Sequence, residues 1–590
     1  MKKPSDKWIR FRISTILVFF CLVSFIIAGR AFQLQVLKRD QLCKLAERQY
    51  KKNIPLVPKR GTIYTRGYEE LAVTVEVDSI YAEPDSIETP KLAAKRLASL
   101  LPLSRKELED NLSSSKSFVW LARKVTPSTI ERVKSLNIRG IGFVKENRRF
   151  YPNGELASHA VGFSGIDGTG LGGIELAHDA QIKGKTELVR AERDAFGKRT
   201  LPRDLGFEDS LAGNSVVLTI DKTIQYTAEK ELAEAVRKSG AKGGTAIVMD
   251  PKSGEVLAMA NYPQFNPNDL SSTYQAALKN RAIVDTYEPG STFKVFLLAA
   301  ALEEGVVKPG DKFYCENGSM ELAGKVIHDT HKHGTLTVRE IMKFSSNIGS
   351  AKIAAKLGKE RFYDYITSFG FGSPTGIELK GEGSGILRSM KTWSKLELAN
   401  VSFGQGVSAT PLQLTAAFSA IANGGYLMKP YLVKDILDRN GKVIKSNQPQ
   451  IVKKVVSGET ASKVTEMLRD AVAEGGTGSG AALNGYDVAG KTGTAQKVSG
   501  GRGYTENKHV ASFIGFVPAE SPELVVLVAI DEPEGIQYGG IVAAPAFKAI
   551  AETSLRYLNS PKKNDVEIPV GAAMKVAKAD HLPQRRGDAE

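Results

Sequence analysis

Hydrophobic positions are spread unevenly along this chain, and the sharpest feature is an apolar run near the N-terminus. Residues 13–29, ISTILVFFCLVSFIIAG, carry no charge, and Arg30 ends the run. At about 1.5 Å per residue a helix of this length reaches roughly 26 Å, close to a bilayer core. A transmembrane helix is expected over residues 13–30. Lys2, Lys3, Lys7, Arg10 and Arg12 precede it against Asp6 alone. The positive-inside rule then puts a short tail, residues 1–12, in the cytoplasm and everything after Arg30 outside. The rival reading, a cleaved signal peptide, lacks a small-x-small site after the run.

Beyond the membrane the pattern changes. Residues 31–55 are polar and helix-like and read as a stalk. Short alternating runs such as 71–77 then mix with helical stretches such as 91–101. Glycines cluster in VGFSGIDGTGLGG, residues 161–173, which reads as loop. Residues 56–210 are expected to form a mixed, irregular domain with no catalytic set.

A second large domain is expected over residues 211–559. Runs 245–250 and 255–260 are joined by Pro-Lys-Ser-Gly, and runs 510–516 and 524–531 flank Pro-Ala-Glu-Ser-Pro-Glu. Both read as hairpins. Long helical patterns lie between them, at 293–304 and 338–357. Hairpins at both ends with helices between predict an α+β domain, an antiparallel sheet layered with helices. Residues 560–590 are polar and charged and are expected to be disordered. No repeat modules are expected after the second domain.

Composition changes the picture in two places. Lys and Arg number 80 against 65 Asp and Glu, a formal charge of +15. That surface suits nucleic acid, anionic lipid or an acidic polymer. No nucleic-acid motif accompanies it, so lipid and cell-wall polymer are the expected partners. Outside the apolar run only Cys43 and Cys315 remain. They can pair, but two unpaired thiols are the simpler reading.

The candidate chemistry begins at Ser291. A serine hydroxyl is a weak nucleophile and needs a neighbouring base. Residues three apart at a helix start share a face, so the Lys294 amine in Ser291-Thr292-Phe293-Lys294 can reach it. The motif follows Glu288-Pro289-Gly290 and opens an apolar helix, where the helix dipole favours developing negative charge. Alone it is weak: Ser113/Lys116, Ser239/Lys242 and Ser560/Lys563 share the spacing. Two further elements strengthen it. Ser345-Ser346-Asn347 follows a predicted helix and can present a hydroxyl and an amide to the same site. Lys491-Thr492-Gly493-Thr494 reads as a strand of small residues, with a glycine that permits close backbone approach. Such an ordered trio marks acyl-serine enzymes of the penicillin-binding class.

With these residues the chain resembles the class B penicillin-binding proteins, monofunctional peptidoglycan transpeptidases, from the membrane segment to about Leu558. YEPGSTFK around Ser291, SSNIG from Ser345, KTGTAQK from Lys491, SFGQG at 402–406 and TPLQL at 410–414 are in the family's form. YGG at 538–540 with Pro545 and Phe547 is similar too. So are Arg60-Gly61-Thr62-Ile63, then Arg149, Tyr151, Pro152, Gly173 and Glu175 in the first domain. The family's Asp-Arg-x-Gly is replaced by Thr65-Arg66-Gly67-Tyr68.

The resemblance implies a cytoplasmic-membrane protein with a pedestal of dimerisation type, a transpeptidase domain outside the membrane and no cofactor. It implies that Ser291 Oγ attacks the carbonyl between two terminal D-alanines and that neutral Lys294 takes the proton. Ser345 would relay a proton to the leaving amine, and Asn347 would hold Lys294 and the substrate amide. Thr492 and Thr494 would bind the terminal carboxylate beside Gly493, with Lys491 supplying charge. Backbone N–H groups of Ser291 and Thr494 would form the oxyanion hole, an arrangement that typically dominates such catalysis. The SFG form at 402–404 and the stretch RDAFGKR at 193–199 resemble the division type more than the elongation type. Implied partners are peptidoglycan stem peptides, lipid-linked precursor strands, a membrane glycosyltransferase of the shape and division (SEDS) family, and other division proteins. Hydrolysis at the same site, as in a carboxypeptidase or β-lactamase, and a mainly scaffolding role remain alternatives.

His328, Asp329, His331 and His333 lie close enough together to suggest a metal. No cysteine or acidic cluster completes such a site, so a polar connecting loop is expected and no metal.

Overall fold

The computed structural model describes residues 6–42, 51–56, 58–185, 187–193, 199–200, 211–271, 273–498 and 504–563. Cys43, residues 194–198 of the division-like stretch and residues 564–590 of the tail expected to be disordered lie outside the described residues. The chain divides into two compact units, residues 1–59 with 184–212, and residues 60–183 with 213–590.

In the first unit the membrane helix runs Asp6–Phe32, longer than the apolar run itself. It continues in a wider π turn, Gln33–Leu37. Backbone hydrogen bonding does not stop where hydrophobicity stops, so Trp8 and Arg12 join its first turns, the guanidinium 3.9 Å from the indole centre. Its apolar side chains face outward; Phe25 is 81% exposed. Among the described residues it is the one helix long and apolar enough to cross a membrane, and it fits a single-pass anchor. The helix-like stalk is corrected in part. Lys51–Leu56 is a strand, paired antiparallel with Glu187–Arg193, which in turn pairs with Arg199–Thr200. Local periodicity cannot reveal a partner more than a hundred residues away.

The second unit holds two large sheets. The first crosses the boundary expected near residue 210. Its strands run in the order Val443–Ser446, Val433–Leu437, Ser215–Leu218, Ile63–Tyr64, Glu70–Ala82 and Val119–Ala122, with Ile141–Phe150 also paired to Glu70–Ala82. The alternating run at 71–77 lies inside the long strand, and the helical stretch at 91–101 becomes the helix Pro90–Leu97. Arg60, Arg149 and Glu175, singled out above by resemblance, meet here. Glu175, without exposed surface, accepts from Arg60 and from Arg149, each at 2.5 Å. The glycine cluster lets the chain fold back beside them. A Cβ on Gly162, whose φ is +82°, would fall 1.9 Å from the carbonyl of Gly172.

The second sheet is fully antiparallel, in the order Val256–Tyr262, Gly243–Met249, Leu524–Asp531, Tyr504–Val517 and Ala489–Val498. Both expected hairpins are in it. Period-two alternation sends side chains to opposite faces. Leu524, Val526, Val528 and Ile530 pack with the helices Lys222–Lys238 and Ala544–Tyr557. Val525, Leu527 and Ala529 join the other core, with the helices Lys294–Glu303 and Pro411–Ala422. Each buried Val or Leu contributes about 1.5–3 kcal/mol, so the two-faced pattern fixes the layered α+β architecture.

One helical expectation fails instructively. The pattern at 338–357 is not one helix but two, Val338–Phe344 and Asn347–Leu357. Ser345 breaks them apart in a left-handed conformation, φ +61°, and Ser346 caps the second through Gly349 N. Apolar periodicity carries across the break because both halves face the same core.

Candidate active site

The turn that carries Ser291 is built by close backbone contacts. Gly290, φ +56°, leads into the 3-10 turn Gly290–Phe293, which continues as the helix Lys294–Glu303. Thr292 Oγ1 ties the turn to Pro289 O at 2.8 Å. The SFGQG segment clamps it from outside. Gly290 N donates to Gly404 O at 3.2 Å, and a Cβ on Gly404, φ +79°, would meet Gly290 O at 2.2 Å. Tyr287 and Ala409 exchange backbone bonds of 3.1 and 3.0 Å, and Gly406 N reaches Glu288 Oε1 at 2.8 Å. That motif and Ala409 just after it therefore hold the approach to Ser291.

Lys294, fully buried, is the hub. Its Nζ lies 3.1 Å from Ser291 Oγ, 3.1 Å from Ser345 Oγ, 2.8 Å from Asn347 Oδ1 and 2.5 Å from Ser345 O. Burial holds its proton affinity well below that of an ordinary lysine; the charge of Lys491 pushes the same way, and Asp329 opposes. Lys491 is also fully buried. Burial lowers its pKa to about 7. Its Nζ contacts Thr492 O and Oγ1, each at 3.3 Å.

Ala489–Val498 is the edge strand of the catalytic sheet. Thr492 Oγ1 meets Thr477 Oγ1 at 3.2 Å, and Thr494 Oγ1 accepts from Gly539 N at 3.3 Å. Gly493 points the other way. A Cβ there would stand 2.4 Å from Ser512 Oγ, 2.9 Å from Pro289 O and 3.0 Å from the Thr292 methyl. The room that this glycine leaves is taken by the protein's own Ser291 turn, not left open to a substrate backbone. All eight singled-out residues thus fall on the Ser291 turn and the helix it opens, the broken helix pair and one edge strand.

The lookalike motifs disperse. Ser113 ends the helix Arg105–Leu112. Ser239 Oγ donates to Ala235 O, and Lys242 pairs with Glu532. Ser560 bonds Glu523, and Lys563 pairs with Asp487.

The histidine-rich stretch is more than a connection. Asp329 Oδ1 accepts from Asn347 N at 2.6 Å and Ile348 N at 3.0 Å, and Oδ2 from Ser346 Oγ at 2.6 Å. Asn347 Nδ2 donates to His328 O at 2.8 Å, and His333 stacks on Phe344. Sequence reasoning passed over Asp329, Ser346 and Gly404. The signal for Asp329 is a lone carboxylate among histidines in a stretch that reads as a polar connecting loop. Cys315 is a free, buried thiol.

Comparison with known proteins agrees with this geometry. Residues 244–552 match the model of the penicillin-binding protein transpeptidase domain, and residues 55–218 that of the penicillin-binding protein dimerisation domain. The chain belongs to the class B penicillin-binding proteins. It is a serine-type transpeptidase of the β-lactam-binding kind, and its substrate is peptidoglycan. Stage V sporulation protein D of Bacillus subtilis is 39% identical over 575 residues, 96% of this chain and 88% of that relative. Peptidoglycan D,D-transpeptidase FtsI of Escherichia coli K12 is 34% identical over 539 residues, 90% of this chain and 89% of the relative. Among solved structures, penicillin binding protein 3 of Mycobacterium tuberculosis in complex with aztreonam superposes with a TM-score of 0.68. Its identity is 30%, covering 86% of this chain and 98% of that one.

Proposed function

We propose that this enzyme cross-links stem peptides at the division septum, through an acyl-serine intermediate on Ser291. One observation carries the chemistry: a buried amine, depressed in proton affinity, lies 3.1 Å from the Ser291 hydroxyl. In this reading Ser291 Oγ attacks the penultimate D-alanine carbonyl while neutral Lys294 takes its proton. Ser345 passes a proton to the leaving D-alanine amine, and the amine of a second stem peptide then releases the acyl group. Asn347 orients Lys294, Thr492 and Thr494 hold the terminal carboxylate, and Lys491 supplies charge behind them. The oxyanion hole falls to Ser291 N and Thr494 N; a Cβ on Gly290 would stand 3.0 Å from Thr494 O, so the two backbones run close. Domain limits follow the same reading: tail 1–12, membrane helix 13–30, stalk 31–55, pedestal 56–210, transpeptidase 211–559 and a C-terminal tail 560–590, whose first residues are tied back through Ser560 to Glu523 and Lys563 to Asp487. The basic residues before the membrane helix orient the catalytic unit outside the cytoplasm.

The septal assignment draws on the SFG form at 402–404 and the likeness to FtsI. With it come the SEDS-type glycosyltransferase and division proteins as partners. A second reading has its own support: likeness to a stage V sporulation protein favours a role in spore formation. Depletion in the parent bacterium, with fluorescent D-amino acids marking new cross-links, separates them. Filaments lacking septal label are expected. Rounded, swollen cells would point to elongation, and normal division with defective spores to the second reading. Purified enzyme that only releases D-alanine, with an acceptor amine present, would make it a hydrolase.

A further inference from the structure

We propose that Asp329 is a positioning residue for acylation: its carboxylate clamps the turn that carries Ser345 and Asn347 and sets a negative charge facing Lys294. The inference rests on the reading of Ser291 and Lys294 given above.

Asp329 follows the strand Lys325–His328, and its own N–H is fixed to Gly318 O at 3.1 Å. Its two oxygens take three donors from consecutive residues, Ser346, Asn347 and Ile348. These include the first orphan N–H groups of the helix Asn347–Leu357, which a carboxylate satisfies well. The preceding residue completes the grip. His328 O accepts from Asn347 Nδ2 at 2.8 Å, so Asn347 is held at its backbone N–H by Asp329 and at its side-chain nitrogen by His328. Its oxygen is thereby turned to Lys294 Nζ at 2.8 Å. Ser345 lies immediately before this clamp in a left-handed conformation that a serine adopts at some cost. On its other side the turn is tied to the preceding helix, where Ile341 O accepts from Ser345 N and from Ser346 N, so Asp329 holds the side that faces Asn347.

The electrostatic part is separable. Two charged groups act on Lys294 from the elements packed around it: Lys491 from the edge strand and Asp329 from the loop. Their effects oppose, so the acid keeps the base from becoming too weak to take a proton. Cys315, which accepts from Ser346 Oγ at 3.5 Å, also feels the charges of Asp329 and Lys352.

The test uses the full chain in detergent and measures the acylation rate constant with labelled penicillin across pH. Asp329→Asn preserves shape and the Oδ1 acceptor but removes the charge. Its acid limb should move to lower pH, because Lys294 loses its proton more readily. Asp329→Ala removes the clamp as well, and the maximal rate should fall roughly tenfold or more. A role in stability alone would lower both unfolding temperatures and leave the Asn variant's acid limb in place, which overturns the proposal. So would an Ala variant that acylates at the wild-type rate. Peptide mapping of the label guards the premise: label away from Ser291 would condemn the nucleophile assignment rather than the role of Asp329.

Discussion

Lys294 and Lys491 are both buried without exposed surface in one site, and the charge of Lys491 disfavours a proton on Lys294. Two amines placed so cannot both stay ionised cheaply, because burial already penalises each. Lys294 sits among the hydroxyls of Ser291 and Ser345, the partners a base needs. Lys491 contacts its own neighbour, Thr492. The arrangement costs folding energy and favours a neutral amine at Lys294.

That cost is measurable at Lys491. The unfolded chain binds this proton up to about pH 10.5, the folded chain only up to about 7. Between those values the unfolded state holds more protons, so the stability of the wild type rises with pH. Lys491→Met should therefore stabilise the protein by up to a few kcal/mol at or below pH 7. The gain should shrink steadily as pH approaches 10. Thermal unfolding of both proteins across this range checks it; a gain independent of pH would mean that Lys491 is not held against its charge.

Labelled penicillin should acylate Ser291. Ser291→Ala should abolish labelling, while Ser113→Ala and Ser239→Ala should leave it intact, since neither serine has a lysine poised beside it. Label persisting in Ser291→Ala would overturn the nucleophile.

Thr494→Val keeps the shape of the edge strand and removes a hydroxyl. If that hydroxyl reads the terminal carboxylate, its loss costs roughly 1.5–3 kcal/mol, about ten- to a hundredfold in acylation rate. Thr494 Oγ1 also accepts from Gly539 N, so a general loosening is the alternative. A β-lactam ester without the carboxylate distinguishes them. The acid should suffer far more than the ester; equal losses would assign Thr494 to shape.

Glu175→Gln should destabilise the pedestal by about 3–5 kcal/mol, because it leaves Arg60 and Arg149 buried beside a neutral partner. The unfolding temperature should drop without any change in where penicillin attaches. A variant as stable as wild type would show that the cluster is bridged by other acids; Asp179, which also meets Arg60, is the candidate.

A reporter active only outside the cytoplasm, fused after Leu558, should work if the positive-inside reading of the first twelve residues is right. An inactive fusion protected from added protease would reverse the orientation.

The sequence by itself determined the membrane helix, the two catalytic hairpins and the residues of the three motifs. Each is a local signal: an uncharged run, a period of two, or a fixed spacing with a reactive group. It also marked Arg60, Arg149 and Glu175, but without saying that they touch. Tertiary structure alone decided the rest. It paired Lys51–Leu56 with Glu187–Arg193, ran one sheet through the boundary expected near residue 210, and broke the 338–357 pattern at Ser345. It made Asp329, expected in a polar connecting loop, the clamp of Asn347, and gave the space at Gly493 to the turn that carries Ser291. The physical reason is common to all of these. Hydrogen bonds and charges between residues far apart in the chain leave no trace in local periodicity, and a left-handed serine becomes tolerable only once distant groups hold it there.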